Sequence, residues 1–278
     1  MSNVVINDFS SQTVSQADDS FVIQEAGGTT KKMSKLLLAQ SIAYAGYKSY
    51  DNFTGSRPSV STVTVGWTQL GIEGIIAGAQ SLTLDITASG LLGLDTGAEA
   101  ADAWYYVFAI AKTDGTVSAI LSASSTAPTM PAGYTLKRLV SMARNTSGDF
   151  VDFVQEGDNW GYVANTTIKA AGTFIAETLN CETFIPALVS EAVIRLYATS
   201  TGAGVSLIYG ALYSYLNGVY VVHALVENYN GVSGGTVRTA LNNILSVSSR
   251  HIKYYATDGI GGATGSFALS ISSFKVPL

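Results

Sequence analysis

The sequence predicts a mainly β protein, with a short N-terminal strand–turn–helix element followed by two antiparallel β-sandwich, jelly-roll-like domains. Three observations carry that prediction. Charged residues make up only 13% of the 278, while glycine (28) and tyrosine (15) are plentiful; an ordinary soluble domain carries about twice that charge. Apolar residues alternate with period 2 in several runs, the pattern of strands rather than helices. Turn dipeptides such as Asp114-Gly115 and Asn217-Gly218 stand between those runs, and their glycines accept the positive φ of a tight hairpin.

The first element covers residues 1–48. A short strand is expected over residues 21–24 and a turn over residues 25–30, with Lys31, Lys32 and Met33 pairing back or leading onward. Ser34 is a good N-cap for a helix through Ala45, and Gly46 stands just past its end. Leu37, Leu38, Ser41, Ile42 and Ala45 give that helix an adhesive face.

The first sandwich is assigned to residues 49–165. Residues 47–62, with Arg57-Pro58, read as a loop. Strands are expected over residues 62–70 and 80–88, where Leu82, Leu84 and Ile86 alternate with polar neighbours. The glycine-spaced residues 71–78 between them mark a bend or a close packing position. Residues 104–111 (WYYVFAIA) read as a half-buried strand with Trp104, Tyr106, Phe108 and Ile110 on one face. Asp114-Gly115 turns the chain into a return strand over residues 116–122. Residues 126–134 (TAPTMPAGY) cannot be helix interior, because each proline lacks an N–H and restricts the residue before it. A third strand follows over residues 135–143.

The second sandwich is assigned to residues 166–278. Strands are expected over residues 166–170, 183–185, 192–198, 205–215, 219–228, 251–256 and 265–276. Asn217-Gly218 is the strongest hairpin signal in the chain, and Asn230-Gly231 and Gly234-Gly235 mark further turns. Residues 239–245 (TALNNIL) fit either one helical turn or an edge strand.

The run GLDTGAEAADAWYYVFAI, then a Gly-Thr turn, then STAPTMPAGYTLKRLVSMAR resembles a pattern recurrent in tailed-bacteriophage virion proteins: tail fibres, head or neck fibres and related appendages. Met130 stands where that pattern has Leu, and Val140-Ser141 where it has Ile-Gly. The resemblance covers about the middle third of the chain. ADDSFVIQEAGGTTKKMSKLLLAQSI, residues 17–42, is similar to the head-proximal element of many phage fibres, which implies attachment or trimerisation there. The resemblance further implies a non-enzymatic homotrimer in the virion, made in the host cytoplasm. Its partners would be itself, other virion proteins and a host surface glycan or protein. In similar phage proteins a variable β-domain follows the middle module and is where receptor contact is expected, so the resemblance makes residues 166–278 the candidate receptor-binding or tip domain.

Other functions are weighed against the residues. A net charge of −5 leaves no basic footprint for nucleic acid. No apolar stretch approaches a membrane span, and no charged and apolar N-terminal pair of regions marks a secretory signal. A single cysteine, Cys181, excludes an intrachain disulfide and a cysteine-rich zinc site; it reads as a small buried hydrophobe. His223 lies mid-strand with Glu227 on its face, too far away for a direct hydrogen bond, and reads as a core or interface residue. His251 reads as solvated at a strand start. Asp149 with Asp152, or Glu156 with Asp158, have the residue type of a glycosidase pair, but sequence spacing does not set the carboxyl separation that chemistry requires. The triplets at Asn52, Asn145 and Asn165 match a glycosylation sequon without a secretory context. Tyr209, Tyr213, Tyr215, Tyr220, Tyr229, Tyr254 and Tyr255 suit sugar stacking or, with more weight, subunit and interior packing. A depolymerase tailspike is disfavoured by the absence of repeated β-helix rungs. No catalytic, cofactor or metal residue is therefore assigned, no cofactor is expected, and a positive mean hydropathy gives the chain a motive to self-associate.

Overall fold

The computed structural model describes residues 20–24, 30–34, 50–172, 176–189, 191–201, 206–216, 219–230, 236–246, 250–260 and 264–277. Among them every named element is a strand, and all pairings between named strands are antiparallel. The chain is mainly β, as its low charge and period-2 patterning imply.

Ser20–Gln24 (β1) and Thr30–Ser34 (β2) form a hairpin, so the Lys31-Lys32-Met33 segment pairs back. The helix expected beyond Ser34 lies outside the described residues. Tyr50–Asp51 (β3), Thr54–Ser59 (β4), Thr62–Trp67 (β5), Gln69–Ile72 (β6), Ile75–Ala77 (β7) and Gln80–Asp85 (β8) follow. The expected loop around Arg57-Pro58 is in fact β4. Its register shifts between Ser56 and Ser59, and Pro58, with no N–H to donate, sits in that irregularity. The bend at residues 71–78 is the β6–β7 hairpin, with Glu73 and Gly74 at φ 39° and 97°, two consecutive left-handed residues as in a type I′ turn. The expected strand 62–70 divides at Thr68, whose N–H goes to the Asp51 carbonyl. The strand expected to reach residue 88 stops at Asp85, whose carboxylate accepts from the Thr87 amide and hydroxyl and so offers the backbone a turn in place of the ladder.

Trp104–Ala111 (β9), Val117–Ser122 (β10) and Leu136–Thr146 (β11) are the expected hairpin and its third strand, with Gly115 at φ 90°. One expectation changes. Both faces of β9 are buried, because Tyr105, Val107 and Ala109 between the predicted core positions are also apolar. Asp149–Phe150 (β12), Phe153–Glu156 (β13) and Asn159–Gly172 (β14) come next, and β14 runs through positions 165 and 166. Ala176–Asn180 (β15) is a strand that the pattern does not reveal. Residues 183–185 form a turn where a strand is expected. Asn180 Oδ1 accepts from the Glu182 amide, and the Phe184 and Ile185 amides both donate to the Cys181 carbonyl.

Glu191–Thr201 (β16), Ser206–Leu216 (β17), Val219–Asn230 (β18), Thr236–Ser246 (β19), His251–Ile260 (β20) and Thr264–Lys275 (β21) complete the chain. Pairing of Leu216 with Val219 leaves two residues for the Asn217-Gly218 hairpin. Residues 239–245 resolve to strand, at one edge of a sheet.

That sheet has eight strands in the order β19-β16-β21-β14-β13-β4-β5-β8, and so joins strands from both halves of the chain. Against its inner face packs the sheet β10-β9-β11-β12. Trp104 of β9 lies edge-on to Trp160 of β14 and Phe274 of β21, at 5.8 and 5.9 Å between ring centroids. Two further sheets, β3-β6-β7 and β15-β20-β17-β18, complete the described β-structure with the β1–β2 hairpin.

Candidate functional site

The two halves of the middle motif meet in space. Residues 92–95 run parallel to β10 and extend its sheet. Leu92 N–H donates to Ala119 O (2.9 Å), Leu121 N–H to Gly93 O (2.8 Å) and Asp95 N–H to Leu121 O (2.8 Å). The GLLGLD run is thus a strap that covers an edge otherwise open to pairing. Gly93 is required for it: a Cβ there would lie 2.5 Å from the Ala88 carbonyl oxygen. From the strap, Asp95 Oδ2 accepts from the Thr129 amide at 2.6 Å, which ties GLDTG to TAPTMPAGY. That loop is folded by Ser124 Oγ, acceptor to the Thr126 and Ala127 amides. Lys137 Nζ donates to Thr126 O (2.8 Å), and Lys112 Nζ lies 5.1 Å from the centre of the Tyr134 ring.

A second group locks β11 to the eight-stranded sheet. Its register against β9 shifts between Leu139 and Ser141, a bulge that removes Val140 O from the regular ladder. Gln155 answers it from β13. Its Nε2 donates to Val140 O (3.1 Å) and Gly157 O (2.8 Å), and its Oε1 accepts from Ser141 Oγ (2.7 Å). Gly55 faces this network; a Cβ there would come 3.2 Å from Gln155 Cβ. Beside it Trp160 stacks on Phe274 and Phe153 at 4.5 and 5.0 Å, meets Tyr162 edge-on at 4.7 Å, and donates Nε1–H to Met142 O at 2.8 Å.

The third group is a buried corner at the end of β11. Asn145 donates Nδ2–H to Glu99 Oε1 and accepts from the Gly148 amide at 3.0 Å. Arg144, only 5% exposed, donates Nε–H to Thr146 Oγ1 at 3.1 Å and lies over the Phe184 ring. Its carboxylate neighbour Asp102 is 4.0 Å from Nη2. Burial lowers the Arg144 pKa, and Tyr162 and Asp102 oppose that shift. Burial raises the pKa of Tyr162, whose hydroxyl donates to Phe184 O at 2.9 Å, and pushes the Cys181 thiol up to about 12. Both groups are therefore held protonated near neutral pH, the opposite of what an activated nucleophile needs.

The residues singled out in the sequence lie apart from these groups or outside them. Cys181 is buried and free. Asp149 and Asp152 are exposed, and Asp152 forms an ion pair with Arg57 at 3.4 Å. Glu156 is exposed at the end of β13 and pairs with Asn159, with Asp158 half-buried in the intervening turn. His251 opens β20 opposite Asn180 and is half-buried. His223 lies in β18; Tyr209, Tyr213 and Tyr215 lie in β17, Tyr220 and Tyr229 in β18, and Tyr254 and Tyr255 in β20. The register sets Tyr215 opposite Tyr220. The sequon residue Asn145 is buried, whereas Asn52 is exposed. Among the described residues no three His, Cys, Asp or Glu side chains are grouped to hold a metal ion. Gln155 and Arg144 escaped sequence reasoning, and Asn145 enters it only as a sequon match. The available signal for Gln155 was its place two residues after Phe153, on the same face of a strand.

No protein-family model and no curated protein matches the chain. Among solved structures it is similar to the T13 viral particle of infectious bursal disease virus, at 12% identity and a TM-score of 0.26, over 91% of this chain and 62% of that one. It is similar also to the VP2 subviral particle of the same virus, at 11% identity and a TM-score of 0.26, over 91% and 64%. The Gx strain structure matches at 10% identity and a TM-score of 0.23, over 91% and 67%. The chain thus spans a little under two thirds of the first of these proteins.

Proposed function

We propose that this chain is a non-enzymatic structural protein of a tailed-bacteriophage virion, a homotrimeric tail fibre or adhesin. In this reading residues 1–48 attach it to the particle, and the part of the chain from residue 166 onward, whose strands share the eight-stranded sheet with the preceding part, contacts the host surface. The observation that carries the reading is the joining of GLDTG to TAPTMPAGY through Asp95 and Thr129. The residues that carry the sequence resemblance form one bonded unit with a structural purpose, as a reused building module would. Side-chain-to-backbone bonds from Asp95, Ser124 and Lys137 hold the loop in one conformation, which suits a rigid part more than a reacting one.

Native mass by light scattering, with pull-down on host cells and on purified virions, tests this. A trimer that binds cells supports the fibre. A trimer that ignores cells and adheres to virions moves the assignment to a capsid decoration, neck or head-fibre protein. A monomer that binds neither refutes both.

A further inference from the structure

The registers of the eight-stranded sheet line up one outward row across it: Thr83 (β8), Thr64 (β5), Ser56 (β4), Val154 (β13), Gly161 (β14), Ser273 (β21) and Val193 (β16). All seven are exposed or half-buried, and Val154 is 56% exposed; Val163 beside it is 57% exposed. The rows inside the sheet are the reverse, with Val65, Gln155, Trp160, Phe274 and Ala192 buried. No member of the outer row is charged. Charges stand beside it: Glu156, Lys275 and Glu191 in one neighbouring row, and Asp85, Arg195 and the ion-paired Asp152 on the other side.

A solvated sheet face ordinarily carries charge, whereas a neutral centre with a charged rim is the anatomy of an interface. The row is built from small or β-branched residues, which lose little rotamer freedom when covered. Thr64 and Thr83 already satisfy one another, Oγ1 to Oγ1 at 2.8 Å. The area also fits. Eight strands about 4.8 Å apart and roughly 20 Å long present about 750 Å², close to the ~800 Å² per partner of a stable interface. The rim charges of opposite sign, Glu156 and Lys275, can pair with those of a second copy.

We propose that this outer face of the eight-stranded sheet is the self-association surface, turned toward the symmetry axis and covered by further copies of this chain. The inference rests on the trimeric reading above and specifies its interface. The test is light scattering of the full chain carrying Val154→Arg, with Val60→Arg, exposed but outside the row, as control. Near-UV circular dichroism reports the Trp160 cluster. The expected result is loss of the oligomer to single-chain mass in Val154→Arg with an unchanged spectrum, and wild-type mass in the control. Should Val154→Arg misfold, Thr83→Arg at the far end of the row is read in the same way. A folded variant that keeps wild-type mass overturns this face and leaves the trimer standing. A monomeric wild-type chain overturns both. A wild-type dimer that Val154→Arg dissociates supports the face and refutes the threefold reading.

Discussion

Replacing Gln155 by leucine isolates what the buried polar bridge between the two sheets contributes. The side chain is 3% exposed and makes three hydrogen bonds, to Val140 O, Gly157 O and Ser141 Oγ. Leucine has a similar volume, so the main loss is partners rather than packing. Gly157 is half-buried, and water can replace what it loses. Val140 and Ser141 are fully buried, and each orphaned group costs about 1–3 kcal/mol. Burying an apolar side chain in place of an amide returns about 1–2 kcal/mol. With two orphans and that return at their middle values the expected net loss is about 2.5 kcal/mol, read as a lower denaturation midpoint by tryptophan fluorescence. Adding Ser141→Ala removes one orphan and recovers about 1–2 kcal/mol, a non-additivity expected of two contacting residues. A Gln155→Leu protein within about 0.5 kcal/mol of wild type, or a double variant that recovers nothing, would refute the claim that the network is fully matched.

Three other outcomes follow from the same geometry. Gly93→Ala drives a methyl into the Ala88 carbonyl and is expected to cost at least 2 kcal/mol, with new protease cleavage in the strap. Gly90→Ala, at φ 83° in open space, is expected to cost only about 1 kcal/mol; equal costs would sink the close-approach account. Asp95→Ala removes the acceptor for the Thr129 amide, so hydrogen exchange at Thr129 should accelerate by tenfold or more, corresponding to about 1.5 kcal/mol, whereas exchange in β9 should not change. Cys181 has its folded pKa raised from 9.0 to about 12. The unfolded thiol therefore ionises first as pH rises, and its contribution is intact below about pH 9 and lost progressively toward pH 12. Cys181→Ala should flatten that part of the alkaline stability profile. Native Cys181 should also resist iodoacetamide at pH 8 until the chain is unfolded, and rapid native alkylation would contradict its burial.

What the residues determined by themselves is local. Alternating apolar runs specify strands, because side chains point to opposite sides of a pleated backbone. The turn dipeptides specify where those strands reverse, and β9, its Gly115 turn and β10 appear where that chemistry places them. The strap too has a local signature, since Gly90 and Gly97 take positive φ at either side of it. What only the tertiary structure decided is which partners those segments find. Pro58 reads as a loop from its own chemistry, yet a bulge in β4 absorbs it. Gln155 reads as one more polar strand residue, and becomes a bridge only because a bulge in the facing sheet leaves Val140 O without a ladder partner. The neutral outer row cannot be seen in any single strand. It exists because seven strands from distant parts of the chain fall into one register, and register is a property of pairing rather than of any segment alone.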